Sequence, residues 1–130
     1  MNNNILTIFE KCKKEKRPAL LTYTVAGDNN NKTSLDIINS ISKYADIIEL
    51  GFPHNTPVAD GGKIQESSNR SLQNGTTLKD VFQIVKKFKL NKRNKPIILM
   101  GYYNIIFQYG ENKFLNKCET SGVDGLIVVD

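Results

Sequence analysis

The sequence predicts an α/β fold: the N-terminal half of a (β/α)8 TIM barrel, about four β/α units. Three observations lead there. Four short, almost fully apolar segments (ALLTYTV at 19–25, DIIEL at 46–50, PIILM at 96–100 and GLIVVD at 125–130) alternate with stretches of helical periodicity. That is the pattern of a parallel sheet covered by helices. Acidic and polar residues stand at the carboxyl ends of these segments, where such folds collect their chemistry. Finally, GLIVVD is an apolar strand with no covering helix after it and no partner on its far side, an exposed edge that complete proteins avoid. Four units are half of an eightfold barrel, which takes about 250 residues. Residues 1–130 are therefore read as a single partial domain, half of something longer.

Each element has a local reason. Ile5–Lys14 reads as a short leading helix. Ala19–Val25 is apolar and partly β-branched, and Gly27-Asp28 ends it. Thr33 offers an N-cap with Asp36 three residues on, and Leu35, Ile38 and Ile41 follow at helical spacing. Asp46–Leu50 is the second strand. A helix over Ile64–Leu72 is closed by Asn74-Gly75. Thr77 with Asp80 opens another helix, whose inner face carries Leu78, Val81, Phe82, Val85 and Phe88. Pro96–Met100 is the third strand. Glu111–Thr120 is helical up to Gly122, and Gly125–Asp130 is the fourth strand.

Composition narrows the class. The hydrophobic share of 39% is enough for a core, and the net charge is +5. The basic runs Lys11–Arg17 and Lys86–Lys95 lie on or beside helical patterns without interleaved aromatics, so they read as solvated helix faces rather than a nucleic-acid surface. Cys12 and Cys118 match no ligand spacing, which suggests reduced thiols and a cytoplasmic location. The apolar run Ile5–Phe9 is too short for a membrane span and lacks the flanks of a signal peptide.

Two acids stand out in IIELGFPHNTPVADGGKIQ (47–65). Glu49 sits in an apolar strand, and alternation puts it with Ile47 on the face opposite Ile48 and Leu50. In a barrel that face points inward. Asp60 follows in a loop stiffened by Pro53 and Pro57. Taken alone, Glu49 reads equally as an active-site acid or as half of a structural ion pair. Asp60, before Gly61, reads first as a turn residue.

The segments LTYTVAGD (21–28), DIIELGFP (46–53), PVADGGKIQ (57–65), ILMGYYN (98–104) and GVDGLIVVD (122–130) resemble the alpha subunit of tryptophan synthase, in its order and spacing, from residue 19 onward. The resemblance implies a barrel lyase of tryptophan biosynthesis. Its carbon–carbon/carbon–oxygen lyase reaction cleaves indole-3-glycerol phosphate to indole and glyceraldehyde 3-phosphate. It implies a cytoplasmic alpha2beta2 complex, with indole passed to a beta subunit that holds the pyridoxal phosphate and no cofactor in the alpha subunit itself. Carried over residue by residue, it makes Glu49 the principal acid/base and Asp60 the carboxylate that steadies the indole as positive charge develops. Tyr102 becomes a wall of the substrate pocket, and Tyr23, Met100, Ile127 and Val129 shape its indole end. Pro53, Thr56, Pro57, Asn104 and Phe107 face the partner subunit.

This sequence also departs from the family pattern. Pro53-His54-Asn55-Thr56-Pro57 stands where members commonly read P-F-S-D-P, so an acid is absent at Thr56 in the partner-facing loop. Thr22 replaces a usual proline, and Gly61-Gly62 a usual Gly-Pro. His54, the one histidine, is a lesser candidate for a base, because the family carries an aromatic residue there. The family grips the substrate phosphate with loops from the second half of its barrel, so 1–130 by itself is expected to be inactive or nearly so. A flavodoxin-like ligand-binding or signalling module is the alternative. It would want a fifth strand and a glycine-rich phosphate loop after the first strand, where AGDNNNKT carries a single glycine. Another phosphate-binding barrel enzyme fits strand-end acids but not the IELG-P and P-ADG pair.

Overall fold

The computed structural model describes residues 4–92 and 94–130. Strands β1 (Leu21–Val25), β2 (Ile47–Gly51), β3 (Ile97–Tyr102) and β4 (Gly125–Val129) pair in parallel in the order β1-β2-β3-β4. The helices are α1 (Asn4–Lys14), α2 (Asn31–Ile41), α3 (Gly62–Gln73), α4 (Leu78–Asn91), α5 (Tyr103–Tyr109) and α6 (Glu111–Ser121). Sequential, all-parallel order with a helical crossover between neighbours is the arrangement of successive β/α units of a barrel. Among the described residues no helix is long and apolar enough to cross a membrane.

The two faces of the sheet do different work. Ala26, Ile48, Leu50, Ile97 and Leu99 turn toward the helices and pack with Ile38 of α2, Val85 and Phe88 of α4 and Phe114 of α6. Phe114 is fully buried, with the rings of Phe82 at 5.5 Å and Phe52 at 5.8 Å. Phe52 lies beneath Gly101, where an added Cβ would sit 2.1 Å from its ring. The opposite face carries the residues in register with Glu49, namely Tyr23 on β1 and Ile98 on β3.

The expected elements stand, with four physical adjustments. The first helix-capping residue after β1 is Asn30, not Thr33: Asn30 Oδ1 accepts the Thr33 N–H at 2.8 Å, so α2 starts earlier than predicted. The Thr77–Asp80 capping box of α4 is present as expected. Strand β1 begins at Leu21 rather than Ala19 because the Leu20 N–H is given to the Asp46 carboxylate at 2.8 Å. Strand β3 runs on through Gly101 to Tyr102, pairing Tyr102 with Val129. Helix α5 follows it directly and is not expected from sequence, since YNIIFQY is rich in aromatic and β-branched residues that favour strands.

The basic runs are not wholly solvated. Lys11, Lys13, Lys14, Lys86 and Lys87 are exposed, but Lys89 Nζ contacts the Asp124 carboxylate at 2.6 Å and Lys95 Nζ donates to Ala45 O at 2.5 Å. Arg93, in the same run, lies outside the described residues.

Strands β2 and β4 are entered through the same device. Asp46 accepts the Leu20 N–H at the start of β1, and Asp124 accepts the Ile97 N–H of β3 at 2.9 Å. A cation completes each: Lys89 on Asp124, and Arg17 on both Asp46 oxygens at 2.7 and 2.9 Å. The Arg17 guanidinium is the main cause that holds the Asp46 carboxyl well below the usual carboxylate range, against the opposing effect of burial and with help from the Leu20 N–H. A depressed folded-state value means the stabilisation is complete above about pH 4 and is lost as the pH falls toward that value. Asp46→Asn is expected to cost about 1–2 kcal/mol at neutral pH, discounted for the part-exposed arginine. It should also flatten the acid limb of thermal stability below about pH 4. Melting curves of the two proteins that run parallel through the acid range would contradict this.

Candidate active site

The strand ends bring the two acids and two tyrosines into one group. Glu49 is half-buried on the inner face of β2, beside Tyr23 of β1. Tyr23 leans across the backbone of β2, so that a Cβ on Gly51 would lie 2.1 Å from its hydroxyl oxygen. This is why glycine suits position 51. Any larger residue would push the phenol away from the strand end. Burial first, then the nearby charges of Asp60, Tyr102 and Glu49, push the Tyr23 phenol up to about 12. It is therefore a neutral hydroxyl throughout the working pH range.

Asp60 sits in the β2–α3 loop and is held from three directions. The Tyr102 hydroxyl donates to Asp60 Oδ2 at 3.2 Å and accepts the Ala59 N–H at 2.9 Å. Gln65, in the first turn of α3, donates to the Asp60 carbonyl at 2.9 Å. The Asp60 N–H closes a turn onto Pro57 O at 3.0 Å. Tyr102 is 5% exposed, and burial, then the Asp60 carboxylate, raise its phenol despite the opposing Ala59 N–H. The Tyr102 oxygen thus ties the loop acid to the end of β3.

Glu49 has no hydrogen-bond or ion-pair partner among the described residues. The structural ion pair that its sequence context allowed is absent there. That leaves the Glu49 carboxyl unengaged by other side chains, beside Tyr23 on the inner face of β2.

The remaining candidates fall into two groups. Register places Met100 beside Gly51 and Ile127, and Val129 beside Tyr102, so all share the inner face with Glu49. Ile127 is 37% exposed on the outer strand β4. Of the candidates for a partner surface, Thr56, Asn104 and Phe107 are exposed, Pro57 is half-buried and Pro53 is buried. Phe107 stacks on Tyr103, with ring centroids 6.1 Å apart. The histidine lies at this end as well. The His54 and Tyr102 ring centroids are 4.7 Å apart, and no hydrogen bond joins the imidazole to either acid.

The supports of Asp60 are not apparent from sequence. Gln65 is visible within PVADGGKIQ, five residues after the acid it holds, but its role depends on where α3 begins. A second clamp is less visible. Asp28, after β1, accepts Ser67 Oγ at 2.5 Å and Arg70 Nε and Nη2 at 2.8 Å each. Ser71 donates to Ala26 O at 2.6 Å. These bonds lock α3 onto the loop that follows β1. A cavity of about 410 Å³ opens beside them along the β1 edge, reached by Tyr23 but not lined by Glu49, Asp60 or Tyr102. Among the described residues no three His, Cys, Asp or Glu side chains cluster as a metal site requires.

Comparison with known proteins agrees with the resemblance seen in the sequence. Residues 9–130 match the family model described as tryptophan synthase alpha chain. The tryptophan synthase alpha chain of Pelagibacter ubique (strain HTCC1062) is 68% identical over 122 residues, which is 94% of this chain and 46% of that protein. The structure of tryptophan synthase subunit alpha from Legionella pneumophila superposes with a TM-score of 0.94 at 36% identity, over 100% of this chain and 50% of that one. A chain from the Pyrococcus furiosus tryptophan synthase α2β2 complex superposes with a TM-score of 0.83 at 45% identity, over 86% of this chain and 47% of its own length. The chain thus spans about half the length of the relatives it matches, and its four strands are the expected half of their barrel.

Proposed function

This chain belongs to the tryptophan synthase alpha chain family, and from that premise we propose that it carries the proton-handling half of an indole-3-glycerol phosphate lyase site. The observation that carries the reading is the convergence of Glu49 and Tyr23, on the inner face of β2 and β1, with Asp60 and with Tyr102 at the end of β3.

The reaction is a retro-aldol cleavage. Indole C3 takes up a proton, the glycerol hydroxyl next to the scissile bond gives one up, and that bond breaks. Its electron pair returns to the indole ring as the hydroxyl oxygen becomes the carbonyl of glyceraldehyde 3-phosphate. Glu49, without a fixed partner, is suited to move these protons. Asp60, held by Tyr102 and its loop, presents a preorganised carboxylate to the indole N–H, where positive charge develops. Met100, Ile127 and Val129 supply an apolar face for the indole. The subunit needs no cofactor of its own. It works in the cytoplasm with a beta subunit in an alpha2beta2 complex, and that partner holds pyridoxal phosphate and consumes indole. Thr56, Pro57, Asn104 and Phe107 offer the surface for it, with Pro53 beneath, and residues 1–130 act as one partial domain that the other half of a barrel completes.

Asp60→Asn in a full-length subunit tests the assignment, because it removes the charge and keeps the shape. Indole release is expected to fall by about 10²-fold, as when one preorganised electrostatic group is lost, while the circular dichroism spectrum stays the same. Indole release equal to that of the unaltered subunit would remove Asp60 from the mechanism.

A further inference from the structure

We propose that His54 is a positioning residue: its imidazole stacks on Tyr102 and so fixes the hydroxyl that holds the Asp60 carboxylate. The inference rests on the lyase reading above and adds to it a residue that this reading leaves unused.

One atom, the Tyr102 hydroxyl oxygen, accepts from Ala59 N at 2.9 Å and donates to Asp60 Oδ2 at 3.2 Å. The second of these bonds is already longer than the usual O–H···O distance, so a displacement of a few tenths of an ångström abolishes it. The hydroxyl lies at the far end of a rigid ring, where a small tilt about the side-chain bonds moves the oxygen more than any other atom. Whatever fixes the plane of that ring therefore fixes the acid.

His54 meets that requirement. Its ring centroid lies 4.7 Å from that of Tyr102, with 31° between the planes, within the range of offset aromatic stacking. The imidazole makes no hydrogen bond, and its Nδ1 is enclosed without a partner among the described residues. What His54 gives its surroundings is thus a flat ring against Tyr102. Its loop neighbours cannot replace it, since Asn55 and Thr56 are exposed. Proton transfer by His54 itself, the lesser reading of the sequence, would require a polar contact with the acids that the structure lacks.

The test uses a full-length subunit in complex with its partner, and the variants His54→Ala, His54→Phe, Asp60→Asn and His54→Ala with Asp60→Asn. Removing the ring in H54A is expected to lower kcat for indole release about tenfold, the scale of a sub-ångström misplacement, with KM little changed. H54F keeps a ring and is expected to restore kcat. The double variant should fall no further than D60N, because both changes act through one carboxylate. A crystal structure of H54A should show the Tyr102–Asp60 hydrogen bond broken, and that of H54F should show it intact. The proposal is overturned if H54A keeps full kcat, if H54F is as impaired as H54A, if the two losses add, or if the hydrogen bond persists in H54A. Wild-type complex that releases no indole overturns the lyase reading instead, and the two crystal structures then still decide whether His54 holds Tyr102.

Discussion

Glu49→Gln in a full-length subunit is expected to lower indole release by about 10²–10⁴-fold, the range for losing a general acid–base group. Its unfolding temperature should stay close to that of the unaltered protein. The two halves of this expectation come from one observation. Glu49 is half-buried at the inner face of β2 and has no hydrogen-bond or ion-pair partner among the described residues. Glutamine keeps the volume and the apolar stem, so packing against Tyr23 and the strand is preserved. It cannot take up and release a proton, so the chemistry is not. A structural acid would behave in the opposite way, since removing one partner of a buried ion pair costs several kcal/mol and leaves the other charge stranded. Steady-state indole release together with a thermal melt separates the two. A variant that keeps its rate and loses stability would make Glu49 a structural residue.

The largest effect on folding is expected at Phe114. Phe114→Ala should cost about 3–5 kcal/mol, from lost apolar transfer and the cavity left behind. Phe114 is fully buried on α6, and the rings of Phe52, Phe82 and Tyr109 surround it. Phe52 in turn fills the space under Gly101 at the end of β3, next to Tyr102. The cavity would therefore open directly behind the strand end that carries the Asp60 anchor. Chemical denaturation measures the loss of stability, and a shift below about 1.5 kcal/mol would mean that the aromatic cluster repacks around the gap.

The sheet is legible in the sequence because its evidence is local. DIIEL and PIILM are apolar on both faces, as a strand covered on each side must be, and period-two alternation alone puts Glu49 opposite Leu50. The box at Thr77 and Asp80 is legible for the same reason, since both partners lie within one turn. Where several residues could serve equally, local reading fails. Asn29, Asn30 and Asn31 are all competent caps, and only the path of the chain out of Gly27 selects Asn30 over Thr33. Helix α5 is invisible because its aromatic and β-branched residues favour a strand, and it is the burial of Ile106 that folds it back. The site divides in the same way. Motif and alternation point to Glu49 and Asp60. The hold on Asp60, by a hydroxyl 42 residues away in sequence and a ring stacked behind it, exists only once β2 and β3 lie side by side. The inward turn of Lys89 and Lys95 is a further case, since a lysine run looks solvated until a strand-entry carboxylate or a carbonyl meets it.

Supplying indole-3-glycerol phosphate to a full-length subunit that carries these residues, and measuring both products, tests the lyase reading. The acid pair on β2 and in the loop after it predicts indole and glyceraldehyde 3-phosphate in equal amounts, lost together in Glu49→Gln. Absence of indole from the unaltered protein, or equal release by the Glu49→Gln variant, would contradict it.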